Sequence, residues 1–286
     1  MNTITLSNGN KMPSIVMGTS VDDRVGNRKK LIQKMCSTVE FAVENGLTAF
    51  DTSRDYQNEH ILGDVFSNLI KNRTIKREDI FVTTKVGNSQ QRTRNMKDQI
   101  DISLKSLKLD YIDLWLLHWP LPNYFIENWK QLCEIYKEGK VKAIGIANCR
   151  ERHIIALKES GIEVLPHVIQ IEYHPFRTVN SLRETCKEFK IQIEAYSANC
   201  VMLPFVRENK TLNALAKKYG KSITQIMMRW HVQQGTVPIF SSLNREHTLS
   251  NIDVFDFQLD NEEMNCLFSL NCDYKFHPES LNCPGY

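Results

Sequence analysis

A single (β/α)8 barrel of the TIM type, preceded by a short N-terminal β-hairpin, is the fold class this sequence predicts. Three observations predict it. Short apolar runs alternate with longer amphipathic stretches, the pattern of buried parallel strands covered by helices. Eight such runs fit within 286 residues, close to the length of a closed barrel. No composition break and no Pro-, Gly- or Ser-rich linker divides the chain, so residues 1–286 are expected to form one domain.

The chain opens with alternating residues around Asn8-Gly9, a pair suited to a type I′ turn, and therefore to a hairpin. Strands are expected at 15–18, 48–51, 80–85, 111–117, 143–147, 168–171, 192–197 and 237–240. Between them, helices are expected over stretches such as 29–45, 90–107, 150–160, 181–190 and 224–234. Gly46, Gly139, Gly161 and Gly235 stand where helices should end before the next strand.

Composition narrows the partners. The 36 basic and 33 acidic residues leave a net charge of +3, too small a bias for nucleic acid or a membrane surface. No apolar run approaches the roughly 18 residues of a membrane helix, and the first residues show no secretory leader. Eight scattered cysteines without a C-x-x-C pair argue for reduced thiols and no bound metal, and the cytoplasm is the expected location. Gly220-Lys221-Ser222 imitates the end of a phosphate-binding loop but lacks the leading glycine and does not follow a strand.

Four residues stand where strands give out. Asp51 and Tyr56 follow Ala49-Phe50; Lys85 ends Phe81-Val82-Thr83-Thr84-Lys85; His118 follows Leu116-Leu117. In a parallel barrel those ends converge on the face where chemistry occurs. Singly, each has an ordinary use, as a cap, a packing ring or an exposed charge. Together they suit proton delivery to a carbonyl reduced by a hydride donor. Tyr56 is the expected acid, Lys85 the ammonium that lowers its pKa, Asp51 the partner of Lys85, and His118 the group that polarises the carbonyl.

The segment Asp51-Thr52-Ser53-Arg54-Asp55-Tyr56-Gln57-Asn58-Glu59, with Thr84-Lys85 and His118-Trp119-Pro120, resembles the aldo-keto reductase family. Gly145-Ile146-Ala147-Asn148, Gln170-Ile171-Glu172-Tyr173-His174-Pro175 and the closing Val254-Phe255-Asp256-Phe257 extend the resemblance along the chain. It implies a barrel that binds a nicotinamide dinucleotide without a separate Rossmann domain, consistent with the lack of a G-x-G-x-x-G motif. By the same resemblance Asn148 and Gln170 hold the carboxamide, Tyr196 stacks on the nicotinamide, and Gly18-Thr19 approaches its ribose. A C-terminal tail, 276–286, is expected over the barrel mouth. The partner is a small-molecule carbonyl substrate, and a monomer is expected.

The departures bear on cofactor and substrate. Ala147 lacks the family's hydroxyl, and Ser197-Ala198-Asn199-Cys200 replaces its Ser-Pro-Leu-Gly. Ser241-Ser242 stand where the family has Lys-Ser, and His247 where it has an arginine that clamps the NADPH 2′-phosphate. Arg245 is placed to compensate, and Asn251 keeps the adenine-side position. NADP(H) is the family expectation, with NAD(H) or dual use the competitor. Ser20, with Asp22, Asp23 and Arg24 after it, replaces an aromatic and makes the pocket more polar. With Trp119 on the other side, the pocket is expected to admit a sugar or polar metabolite carbonyl. The rival reading is an NADP(H)-binding regulatory barrel with little turnover.

Overall fold

The computed structural model describes residues 2–22, 24, 26–278 and 283. Thr3–Thr5 (β1) and Lys11–Pro13 (β2) form the antiparallel hairpin, with Ile4 opposite Met12. The eight following strands are β3 (Val16–Gly18), β4 (Ala49–Asp51), β5 (Phe81–Val86), β6 (Ile112–Leu117), β7 (Val141–Ala147), β8 (Val168–Glu172), β9 (Gln192–Tyr196) and β10 (Val237–Phe240). They pair in chain order, and β10 closes on β3 to complete a parallel barrel.

Around it lie α1 (Arg28–Glu44), α2 (Glu59–Lys71), α3 (Asn88–Gln91), α4 (Met96–Leu107), α5 (Phe125–Lys137), α6 (Glu151–Glu159) and α7 (Asn180–Glu188). The chain finishes with α8 (Pro204–Arg207), α9 (Lys210–Tyr219), α10 (Ile223–Gln233), α11 (Arg245–Ile252) and α12 (Asn261–Phe268). Gly46, Gly139, Gly161 and Gly235 take φ between +72° and +83° at the expected helix ends. The single helix expected over 90–107 is two. Arg94 turns to φ +54°, and Asn95 then caps α4 by accepting from the Asp98 N–H.

Strand alternation sorts the side chains. Phe50, Val82, Trp115, Ile144, Ile169 and Ile193 point outward and join the helices in the main core. Val16, Ala49, Phe81, Leu114, Val168 and Val237 point inward, and Leu6 and Met12 of the hairpin join them as a floor. Burial of that floor is the hydrophobic anchor beneath the mouth. Continuing the same alternation brings Gly18, Asp51, Lys85, His118, Gln170, Tyr196 and Ser241 onto the inward face at the other end. The site is thus a consequence of strand period.

Candidate active site

Tyr56 reaches the mouth on a turn that its neighbours hold rigid. Thr52 Oγ1 donates to Asn58 Oδ1 at 2.7 Å, and Asn58 Nδ2 donates to the Thr19 carbonyl at 2.8 Å. Ser53 Oγ accepts from the Asp55 N–H and opens a short 3-10 turn over Arg54–Tyr56, closed by Gln57 at φ +53°. Asn58 belongs to the Asp51–Glu59 motif, but nothing in its sequence position signals this part.

Lys85 is fully buried. Its ammonium donates to both Asp51 carboxylate oxygens at 2.7 Å and to the Thr52 carbonyl at 3.0 Å, with Tyr56 Oη at 3.4 Å. Burial opposes its charge, but Asp51 and Tyr56 outweigh burial and raise the lysine pKa above its usual value. For Tyr56 the direction differs from the sequence expectation. Burial raises the phenol most, Lys85 lowers it and Asp51 raises it again, so the net shift is upward. Burial of the phenol outweighs the ammonium, which is why Lys85 fails to bring it down. Tyr56 therefore keeps its proton at neutral pH.

His118 is half-buried, with the Tyr56 ring edge-on at 6.1 Å. Its Nδ1 lies 2.9 Å from Asp55 Oδ2 and 3.3 Å from Ser53 Oγ. Neither neighbour was singled out from sequence. Gln170 Nε2 donates to Asp51 Oδ2 at 2.8 Å and to Glu194 Oε2 at 2.7 Å, which leaves Gln170 Oε1 to accept from the cleft. Burial, and then the Asp51 charge, push the Glu194 carboxyl up to about 8. Glu194 was also missed. Its signal was readable, since it lies two residues before Tyr196 and so shares its inward face.

Asn148, at φ +58°, accepts from Tyr196 Oη at 2.6 Å and donates from Nδ2 to the His118 carbonyl at 2.9 Å. Gly18, Ser20, Asp51, Tyr56, His118, Trp119, Asn148, Gln170, Tyr196, Ser197 and Ser241 line one cleft of about 590 Å³. Thr19 does not join them; it is buried and donates both its N–H and its hydroxyl to the Asp51 carbonyl. Ser242, Arg245, His247 and Asn251 stand apart from the cleft. The Ser242 hydroxyl donates to the Asn244 carbonyl, Asn244 caps α11 by accepting from the His247 N–H, Arg245 lies over the Phe41 ring, and Asn251 is buried.

The cleft fits a nicotinamide. Gln170 offers an acceptor and Tyr196 an aromatic ring. At Gly18 a Cβ would come within 2.7 Å of Ser241 Oγ and fill the cradle between β3 and β10. The loop after β9 is unlike a regular turn, with Ser197, Cys200, Val201 and Met202 all at φ near +50°.

The tail is held at its start by Glu172, which accepts from the Phe276 N–H at 2.5 Å and the His277 N–H at 2.9 Å. That sets the His277 ring edge-on to Tyr196 at 5.6 Å. Cys283 packs with Trp119 and Leu121. Residues 279–282 and 284–286 of the expected tail lie outside the described residues, as does Asp23.

The chain is similar to known proteins along nearly its whole length. The sequence profile of the Aldo/keto reductase family matches residues 14–199 and 203–271. A glyoxal reductase of Bacillus subtilis is 35% identical over 276 residues, 96% of this chain and 95% of its own length. The methylglyoxal reductase DkgA of Escherichia coli K12 is 35% identical over 279 residues, 96% of each chain. A Bombyx mori aldo-keto reductase solved in complex with NADP superposes with a TM-score of 0.89 at 31% identity, covering 100% of this chain and 98% of that one. A parallel barrel with this mouth and matches of this extent make the chain a member of the aldo-keto reductase family.

Proposed function

We propose that this one-domain barrel reduces a small polar aldehyde or ketone to the alcohol, with Tyr56 as the acid. The observation that carries the reading is the convergence of a protonated phenol, a buried ammonium–carboxylate pair and an imidazole on one cleft. A nicotinamide dinucleotide, when bound, supplies the hydride. The carbonyl oxygen sits between Tyr56 Oη and the His118 ring, which orient it. As charge develops on that oxygen, Tyr56 releases its proton to it. Lys85 stabilises the phenolate left behind, and Asp51 keeps Lys85 charged. The residues serve alcohol oxidation equally, in reverse.

Gln170 Oε1 and Asn148 are placed to hold the carboxamide, and the Tyr196 ring to stack. The NADP complex of the silkworm relative supports NADP(H) as the cofactor. Ser241 and His247 leave NAD(H) as a second substrate for the same site. The exposed Ser20 on the rim, and relatives described as glyoxal and methylglyoxal reductases, support a polar substrate such as a 2-oxoaldehyde.

The test is loss of absorbance of NADPH or NADH with glyoxal, methylglyoxal, an aldose, an aromatic aldehyde and a steroid ketone. Turnover is expected on the polar carbonyls, and Tyr56→Phe is expected to lower it by about 10²- to 10⁴-fold while dinucleotide fluorescence titrations are unchanged. Activity confined to aromatic aldehydes and steroids would overturn the substrate class. Equal inactivity of wild type and Tyr56→Phe across the panel would overturn the reaction.

A further inference from the structure

Asp55 precedes the proposed acid directly, yet its carboxylate turns away from the lysine and onto His118. The distance from Asp55 Oδ2 to His118 Nδ1 is 2.9 Å, shorter than the 3.3 Å from Ser53 Oγ. A neutral imidazole has one N–H and one lone pair, and an ionised carboxylate only accepts. A lone pair at Nδ1 would face the carboxylate at 2.9 Å and be repelled. The proton therefore belongs on Nδ1, where the hydrogen bond is charge-assisted.

The carboxylate's place is built into the backbone. A Cβ on Gly87 would overlap both Asp55 carboxylate oxygens. Gly87 itself has φ −76° and ψ 174°, extended backbone that any residue adopts. A side chain at 87 would therefore have to push this carboxylate aside, although the chain's own conformation there admits any residue.

We propose that Asp55 is a positioning residue for His118: it holds the Nδ1–H and, through it, decides how the ring meets the substrate. With that proton fixed, the imidazole faces the cleft through Nε2. It donates there to a carbonyl oxygen when both nitrogens carry protons, as an imidazolium paired with Asp55. Next along among the described residues come the Tyr56 phenol, edge-on to the ring, and behind it the Lys85–Asp51 pair. The proposal rests on the carbonyl-reduction reading and adds to it the residue that sets the tautomer.

Nitrogen-15 spectra of histidine-labelled protein test it without any turnover. In the wild type, singly protonated His118 is expected to carry its proton on Nδ1. In Asp55→Ala the proton is expected to move to Nε2. The same is expected in Gly87→Ala, whose new methyl displaces the carboxylate while leaving Asp55 in the sequence. Asp55→Asn, whose amide oxygen still accepts, keeps the Nδ1–H but loses the counter-charge. All three variants are expected to lose about 10- to 100-fold in kcat/KM for carbonyls at unchanged dinucleotide affinity. A wild-type proton on Nε2, or an Nδ1 proton indifferent to both alanine variants, overturns the proposal. Should the wild type show that tautomer and turn over no carbonyl, the reductase reading fails and the Asp55–His118 pairing stands.

Discussion

Glu194 shows how a residue outside the proton-delivery set can shape it. Its carboxyl is fully buried and shares the Gln170 amide with Asp51, so ionising it costs desolvation and sets a second negative charge beside the first. The folded group holds its proton up to about pH 8, whereas the unfolded one releases it near 4.5. Between those values the folded state binds more protons, so stability falls as pH rises; below and above the window the contribution is flat. Glu194→Gln removes the titration. Urea unfolding from pH 4 to 9 should therefore show the variant gaining on wild type by up to about 1.4 kcal/mol per pH unit within the window. A constant difference across that range would mean that Glu194 is already ionised in the folded state. The Lys85–Asp51 pair makes the opposite case. Lys85→Met leaves a buried carboxylate without its cation and is expected to cost about 3–5 kcal/mol, part of which Asp51→Asn in the same chain restores.

Elements were legible where a single period governed them. Val82, Trp115 and Ile169 face the helices, while Ala49, Phe81 and Val168 face the floor, and this alternation already placed Asp51, Lys85 and His118 at one mouth. What the alternation could not give was contact between elements distant in sequence. Asp55 on His118, Gln170 between Asp51 and Glu194, and Glu172 on the tail each join segments whose approach no local pattern encodes. The break between α3 and α4 was hidden for another reason, because it rests on one left-handed Arg94 within a stretch of helical spacing. Close approach leaves a clearer trace. At Gly63 a Cβ would overlap the Ser106 carbonyl, so α2 meets α4 backbone to backbone. Gly63→Ala gains helix propensity but must separate the two helices, and thermal unfolding should show a net loss of about 1–3 kcal/mol. Glu172 is the corresponding hinge for the tail. Removing its carboxylate in Glu172→Ala frees two backbone N–H groups, and limited proteolysis after residue 275 should quicken several-fold without a matching loss of barrel stability.

At the scale of the whole molecule, the cofactor is part of the stability of the barrel. The residues proposed to hold it come from β3, β8 and β9 and the loops after β7 and β10, so binding ties together strands that lie far apart in the chain. A ligand that binds only this closed form stabilises it by about 2.7 kcal/mol at a hundredfold excess over its Kd. For a barrel of this size, that is a rise in Tm of several degrees, at about 2–4 °C per kcal/mol. NADPH and NADH differ only by a phosphate, and the positions expected to clamp it are the exposed Ser241, Arg245 and His247 around the start of α11. With one guanidinium among the three, the two dinucleotides should raise the Tm by amounts differing by no more than a few degrees. His247→Arg adds a second guanidinium able to bind phosphate oxygens in a bidentate manner. It is expected to tighten NADPH about tenfold, to leave NADH unchanged, and to lose this advantage in 0.5 M salt as the ionic contact is screened. Because the substitution lies outside the cleft, turnover with saturating cofactor should stay within about twofold of wild type. A Tm gain shared equally by both dinucleotides would mean that α11 stabilises the barrel without meeting the phosphate, and the 2′ end of the cofactor would then lie elsewhere on the mouth.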